Sequence, residues 1–162
     1  VWVLRGTPIL LQLYFFWIFL PRATGIKIPD STCIIIALIV NASSYVSEII
    51  RAGIQAVDIG QTEAARSLGM TARNTMTKII LPQAVKNILP ALGNEFITMI
   101  KQASLASVFF INELTTSYKT VASATFRQVE SIIIAGIIYL LVTTILGRIM
   151  AYAEWRMKQN ER

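Results

Sequence analysis

The chain has 162 residues, of which 54% are hydrophobic and only 15% charged, and its mean hydropathy is +0.58. A soluble domain carries about a quarter of charged residues, so this composition excludes a soluble globular body and points to a membrane protein. The absence of His and a single Cys, Cys33, exclude a Ser-His-Asp triad, a His-based zinc site and an internal disulfide, while the excess of 15 Lys and Arg over 9 Asp and Glu reads as membrane sidedness.

A hydrocarbon core about 30 Å thick needs about 20 helical residues. The first segment that meets this is 1–20, with Arg5 near one end and an uncharged stretch over 6–21. Thr7 and Pro8 read as an N-cap and a first helical position, so the regular helix is expected to start there. The second segment, 32–51, is uncharged until Glu48; Cys33 within it reads as a small buried hydrophobe. Residues 53–86 are polar but patterned. Asp58 and Gly60 precede a helix-favouring run over 61–68, Gly69 supplies its stop, and Thr71 caps a second helix over 72–81 that is expected to give way at Pro82. The expected product is a short helical hairpin. The third segment, 88–111, carries Glu95 and Lys101; the fourth, 130–151, is uncharged from 131 to 147.

Four crossings put both termini on one side. The segments on that side hold ten Lys and Arg against four on the other, with Lys101 left inside, so both termini and the 53–86 loop are expected in the cytosol. Arg162 is one of the ten. The aromatic cluster from Tyr14 to Phe19 falls near the outer interface and Tyr152 with Trp155 at the inner one, as an aromatic belt requires. No cleavable signal peptide is visible.

Polar residues inside the crossings form two stripes. Asn41, Ser44 and Glu48 share one helical face, and Asn94, Thr98 and Lys101 share another, with Glu95 beside it. Two readings stay open: facing stripes that line a path for a zwitterion, or polar glue between helices, with Glu48 and Arg51 paired near the cytosolic end. No Gly-x-x-x-x-Gly-Lys-Ser/Thr stretch occurs, so nothing here cradles nucleotide phosphates in the P-loop manner.

The hairpin admits three readings: a solvated connector, a helix-turn-helix, or a docking element in which Ala64 and Ala65 allow close approach beside the charge of Glu63. The second is weak, because a recognition helix tethered at both ends to membrane spans has little freedom to enter a groove, and nucleic acid is not expected as a partner. Glu63, Ala64 and Ala65, then Gly69, then Ile79, Ile80, Leu81 and Pro82 resemble, in spacing, the EAA loop of the membrane subunits of binding-protein-dependent ABC importers. Arg5-Gly6-Thr7-Pro8, Glu48-Ile49-Ile50-Arg51-Ala52-Gly53, Gly93-Asn94-Glu95-Phe96 and Ser123-Ala124-Thr125-Phe126-Arg127 are similar to the polar amino acid branch of that family.

The resemblance covers essentially the whole chain and implies an all-helical, multi-pass permease of the bacterial cytoplasmic membrane with its C-terminus cytosolic. It further implies a second permease subunit, as homo- or heterodimer, an extracytoplasmic solute-binding protein, and a cytosolic ATPase that docks through Glu63, Ala64, Ala65, Gly69, Leu81 and Pro82. Nothing is expected to bind ATP, a metal or another cofactor on this chain itself. That branch usually has five helices, and the chain starts within or just before what would be the second, so a first helix is expected to be missing. The runner-up function is a membrane-anchored interaction or sensor protein whose hairpin binds a cytosolic partner without transport.

Overall fold

In the computed structural model, which describes residues 1–159, the regular elements are helical throughout: α1 (Trp2–Gly6), α2 (Ile9–Thr24), α3 (Asp30–Gln55), α4 (Ile59–Ser67), α5 (Ala72–Thr75), α6 (Leu81–Gln102), α7 (Leu114–Thr125) and α8 (Gln128–Gln159). A π-helical turn, Met76–Ile80, joins α5 to α6, and a 3-10 segment, Ala103–Phe109, follows α6. Arg162, counted above among the cytosolic charges, lies outside the described residues. The architecture is an all-α, multi-pass membrane bundle. Helices α3 and α8 are long and apolar enough to cross a bilayer, whereas α2 is apolar but shorter. Its 16 residues reach only about 24 Å at 1.5 Å each.

The first apolar segment breaks at Thr7–Pro8, one residue from where its sequence suggests. Pro8 is the N-cap, with its carbonyl accepting from the Leu11 and Gln12 amides at 3.0 and 3.2 Å, and Thr7 turns back to donate to the Val3 carbonyl at 2.9 Å. Proline has no N–H, so the chain can leave α1 and enter α2 here without losing a donor.

Neighbouring helices pack in the series α2, α3, α6, α8, α7, and α1 rests on α3. The core lies where α2, α3 and the 3-10 segment meet: Leu13, Ile34, Ala37, Ala106 and Phe109 are buried together. Cys33 is fully buried on the same helix as Ile34. The α3–α6 crossing is closest at Gly53, where an added Cβ would collide with Ile88 and meet the Ala84 carbonyl at 3.4 Å. At the α6–α8 crossing, a Cβ on Gly93 would lie 2.5 Å from the Met150 sulfur. Small residues let membrane helices approach when no hydrophobic drive separates helix from lipid. Most of α8, by contrast, turns Ile133, Ile137, Leu140 and Leu141 outward.

Two elements depart from the sequence expectation. The helix that starts at Ala72 does not give way at Pro82: it runs through the π turn into α6, with Pro82 in the first turn of α6. The wide turn lets the Leu81 amide reach back to the Met76 carbonyl, and the Gln83 side chain donates to the Ile79 carbonyl at 2.9 Å, so the chain stays bonded on both sides of Pro82. The helix expected over 88–111 stops at Gln102, and α7, absent from the sequence reading, lies antiparallel against the first half of α8.

Candidate functional site: the helical hairpin and the polar cluster between helices

The hairpin is held by caps. Asp58 accepts from the Gly60 amide at 2.6 Å to open α4. At its end the Gly69 amide bonds the Arg66 carbonyl at 3.0 Å and the Met70 amide bonds the Ala65 carbonyl at 3.1 Å, a Schellman closure that needs the left-handed φ of +83° found at Gly69. Thr71 accepts from the Asn74 amide at 3.3 Å to start α5. Glu63 and Ala64 are exposed on α4, whereas Ala65 is buried on the face toward α5 and the π turn, beside buried Thr75 and Ile80. The surface that α4 offers a partner is therefore Glu63 and Ala64, with exposed Gly69 at its tip. Leu81 is half-buried and Pro82 exposed, both at the base of α6. An open cleft of about 560 Å³ lies between the end of α3 and the hairpin, lined by Ile54, Val57, Ile59, Thr62, Met76 and Ile80.

Inside the bundle, Asn41 and Ser44 are both 2% exposed. The Asn41 amide donates to the Gln12 side-chain oxygen at 2.9 Å, and the Ser44 hydroxyl donates within α3 to the Asn41 carbonyl at 2.7 Å. Gln12 is the hub of this cluster. Its amide nitrogen also serves the Leu4 carbonyl at 2.6 Å, the Thr7 carbonyl at 3.1 Å and the Thr7 hydroxyl at 2.8 Å, filling the acceptors left open where α1 stops. The sequence signal for Gln12 was a lone amide in an uncharged apolar run.

Glu48 lies 3.7 Å from Arg5 and 4.0 Å from Arg51, and Arg5 also sits over the Tyr45 ring at 5.5 Å from its centroid. These groups line a cleft of about 550 Å³ beside α1. On α6, Asn94 and Lys101 are exposed, and the Thr98 hydroxyl donates to the Asn94 carbonyl at 3.0 Å. Glu95 is half-buried, and its Oε1, like Asn41 Oδ1, is enclosed with no hydrogen-bond partner. The structure thus joins Asn41 to α2 through Gln12 and joins Glu48 to α1 through Arg5; the α6 stripe makes neither of those bonds. A second polar knot, Glu113 with Tyr139 and Thr115, was not expected from the sequence. Among the described residues, no group of three or more His, Cys, Asp or Glu is placed to hold a metal ion.

Over residues 1–159 the chain matches the family described as the binding-protein-dependent transport system inner membrane component. It is 41% identical over 159 residues to the arginine transport system permease protein of Bacillus subtilis (strain 168), covering 98% of this chain and 73% of the relative. Against the glutamine transport system permease protein of Escherichia coli (strain K12) it is 34% identical over 157 residues, covering 96% and 72%. A crystal structure of an amino acid ABC transporter with histidines superposes with a TM-score of 0.89 at 48% identity, over 95% of this chain and 72% of that one. An inward-facing MetNI methionine ABC transporter shares the fold, with a TM-score of 0.71 at 18% identity over 98% and 70%. With that fold, that capped hairpin and those relatives, the chain belongs to the inner-membrane components of binding-protein-dependent transport systems: it is a permease subunit of an ABC importer, with ATP hydrolysis carried by a separate subunit.

Proposed function

We propose that this permease moves a polar amino acid inward across the bacterial cytoplasmic membrane, with both termini in the cytosol, as half of a pathway completed by a second permease subunit. A solute-binding protein delivers the substrate from outside, and a cytosolic ABC ATPase grips α4. The observation that carries this reading is the hairpin itself. A nine-residue helix closed by caps at both ends presents Glu63 and Ala64 outward and packs on α5 and the π turn, which run without a break into α6. Nucleotide-driven movement of a partner can change the bundle only through an element that contacts that partner differently in its two states, and α4 is placed for such contact. Glu63 contributes charge, Ala64 close approach and Gly69 the turn. Ala65, Leu81 and Pro82 act from within, holding α4 on the helix behind it.

Support for an amino acid cargo comes from the arginine and glutamine permeases to which the chain is similar. Within the membrane, Asn41, Ser44, Glu48, Asn94, Glu95, Thr98 and Lys101 are the candidates for the pathway, with Glu95 and Asn41 offering enclosed oxygens that an ammonium group would satisfy. The test is reconstitution in liposomes with the cognate ATPase and binding protein. Glu63→Lys should abolish uptake while leaving insertion intact, and Glu95→Gln should lower affinity for substrate without slowing basal ATP hydrolysis. Wild-type uptake in the Glu63 variant would remove α4 as the coupling element.

A further inference from the structure

The order of contacts along α8 fixes how the chain passes the middle of the membrane. Gly93 of α6 meets Met150, Thr115 at the start of α7 meets Tyr139 at 3.2 Å, and Leu114, Ser117, Tyr118 and Val121 of α7 face Ser131, Ile134, Ala135 and Ile138. Helices α6 and α7 therefore stack one beyond the other along the same face of α8, interrupted by the 3-10 segment. Tyr139 is the central residue of the uncharged stretch 131–147, so the interruption, with Glu113 in it, lies at mid-bilayer depth.

Three features at α7 belong together. Left-handed turns at phenylalanines flank it, Phe126 with φ of +58° as its C-cap and Phe110 with φ of +55° as the C-cap of the 3-10 segment ahead of it, side chains 91% and 90% exposed, so nothing in the described chain packs on them to fix the turns. Between α7 and α8 runs an open, mainly apolar groove of about 190 Å³. The polar link across that interface is a single knot: Glu113 accepts from the Thr115 and Thr116 amides at 2.7 Å each, capping α7, and from the Tyr139 hydroxyl at 3.1 Å. A Ser or Thr would cap a helix without bringing a carboxylate to mid-bilayer.

We propose that α7 is a rocking outer half of a broken membrane span, turning on Phe110 and Phe126, and that Glu113 and Tyr139 are positioning residues that clasp it to α8 until the transport cycle releases it. The proposal rests on the transport reading above. Uptake by the parent complex tests that reading, and restraining α7 tests this one.

In a Cys33→Ala background, Val121→Cys and Ile134→Cys place thiols on opposite walls of the groove, where a short bis-methanethiosulfonate linker joins them through two reducible disulfides with release of methanesulfinate. In the reconstituted complex with ATPase and binding protein, the linked form should lose uptake about tenfold and regain it on reduction; wild-type uptake with the linker in place would overturn the proposal. Tyr139→Phe removes one hydroxyl and no volume. It should raise ATP hydrolysis without binding protein about fivefold, the equilibrium shift of one ordinary hydrogen bond, at an unchanged unfolding temperature. Equal hydrolysis in Tyr139→Phe and wild type would mean that the clasp does not control α7.

Discussion

The hairpin and the polar interior solve the same problem, satisfying hydrogen-bonding groups where helices stop, in opposite ways. In the hairpin each cap lies a few residues from the group it serves: Asp58 on Gly60, Thr71 on Asn74, Gly69 on Arg66. In the interior the partners are far apart in the chain, with Asn41 reaching Gln12 across 29 positions and Tyr139 reaching Glu113 across 26. A locally closed element keeps its shape while the rest moves, whereas long-range bonds hold only while the bundle keeps its packing. That difference suits a surface that is gripped and an interior that must rearrange.

The contrast can be broken most forcefully at Gln12. Gln12→Leu strips partners from the Leu4 and Thr7 carbonyls and from the Asn41 amide, and should cost about 3 kcal/mol of stability, since each buried polar group left unpaired costs about 1–3 kcal/mol. The double variant Gln12→Leu with Asn41→Leu should recover part of that loss in thermal unfolding in detergent, because Asn41 is then no longer stranded. Equal losses in single and double variants would mean that the two side chains do not act together.

Glycines at the helix crossings come next. Gly53→Ala should cost about 2 kcal/mol, because the new methyl meets the branched Ile88 with the Ala84 backbone behind it. Gly93→Ala should cost less than about 1 kcal/mol, because the obstacle is a flexible thioether. Reversal of that order in unfolding measurements would place the tight crossing at the wrong pair of helices.

In the hairpin, Gly69→Ala puts a side chain at φ of +83° and should loosen α4 by about 1–2 kcal/mol. Hydrogen exchange should register this at the α4 amides and leave α3 and α8 protected. Asp58→Ala should cost about 1 kcal/mol, confined in the same way. The smallest effect is expected at the partly exposed Arg51, 4.0 Å from Glu48: Arg51→Gln should shift stability by less than about 0.5 kcal/mol.

The same contrast explains what the sequence made legible. Asp58, Gly69 and Thr71 announce the hairpin because a cap is a residue-type preference at a fixed offset, and the EAA spacing could be matched there. The apolar runs gave α3 and α8, because length and hydropathy alone decide them. Pro82 misled, since a proline is tolerated in a first helical turn, and here a π turn carries the helix into the α6 first turn that holds Pro82. Helix α7 was invisible: its twelve residues are rich in Thr and Ser, its N-cap is a glutamate, and its helicity depends on packing against α8. Gln12 could not be picked out as a hub because its partner is assigned only once α2 and α3 lie side by side.

The unbroken run from Ala72 through the π turn to Gln102 has one more consequence. Helix resists stretching far better than a loop does, so a push at the tip of the hairpin travels along this shaft and bends it where it is weakest, at the π turn and at Pro90. The narrow crossing of Gly53 and Ile88 stands between those two places like the fulcrum of a see-saw.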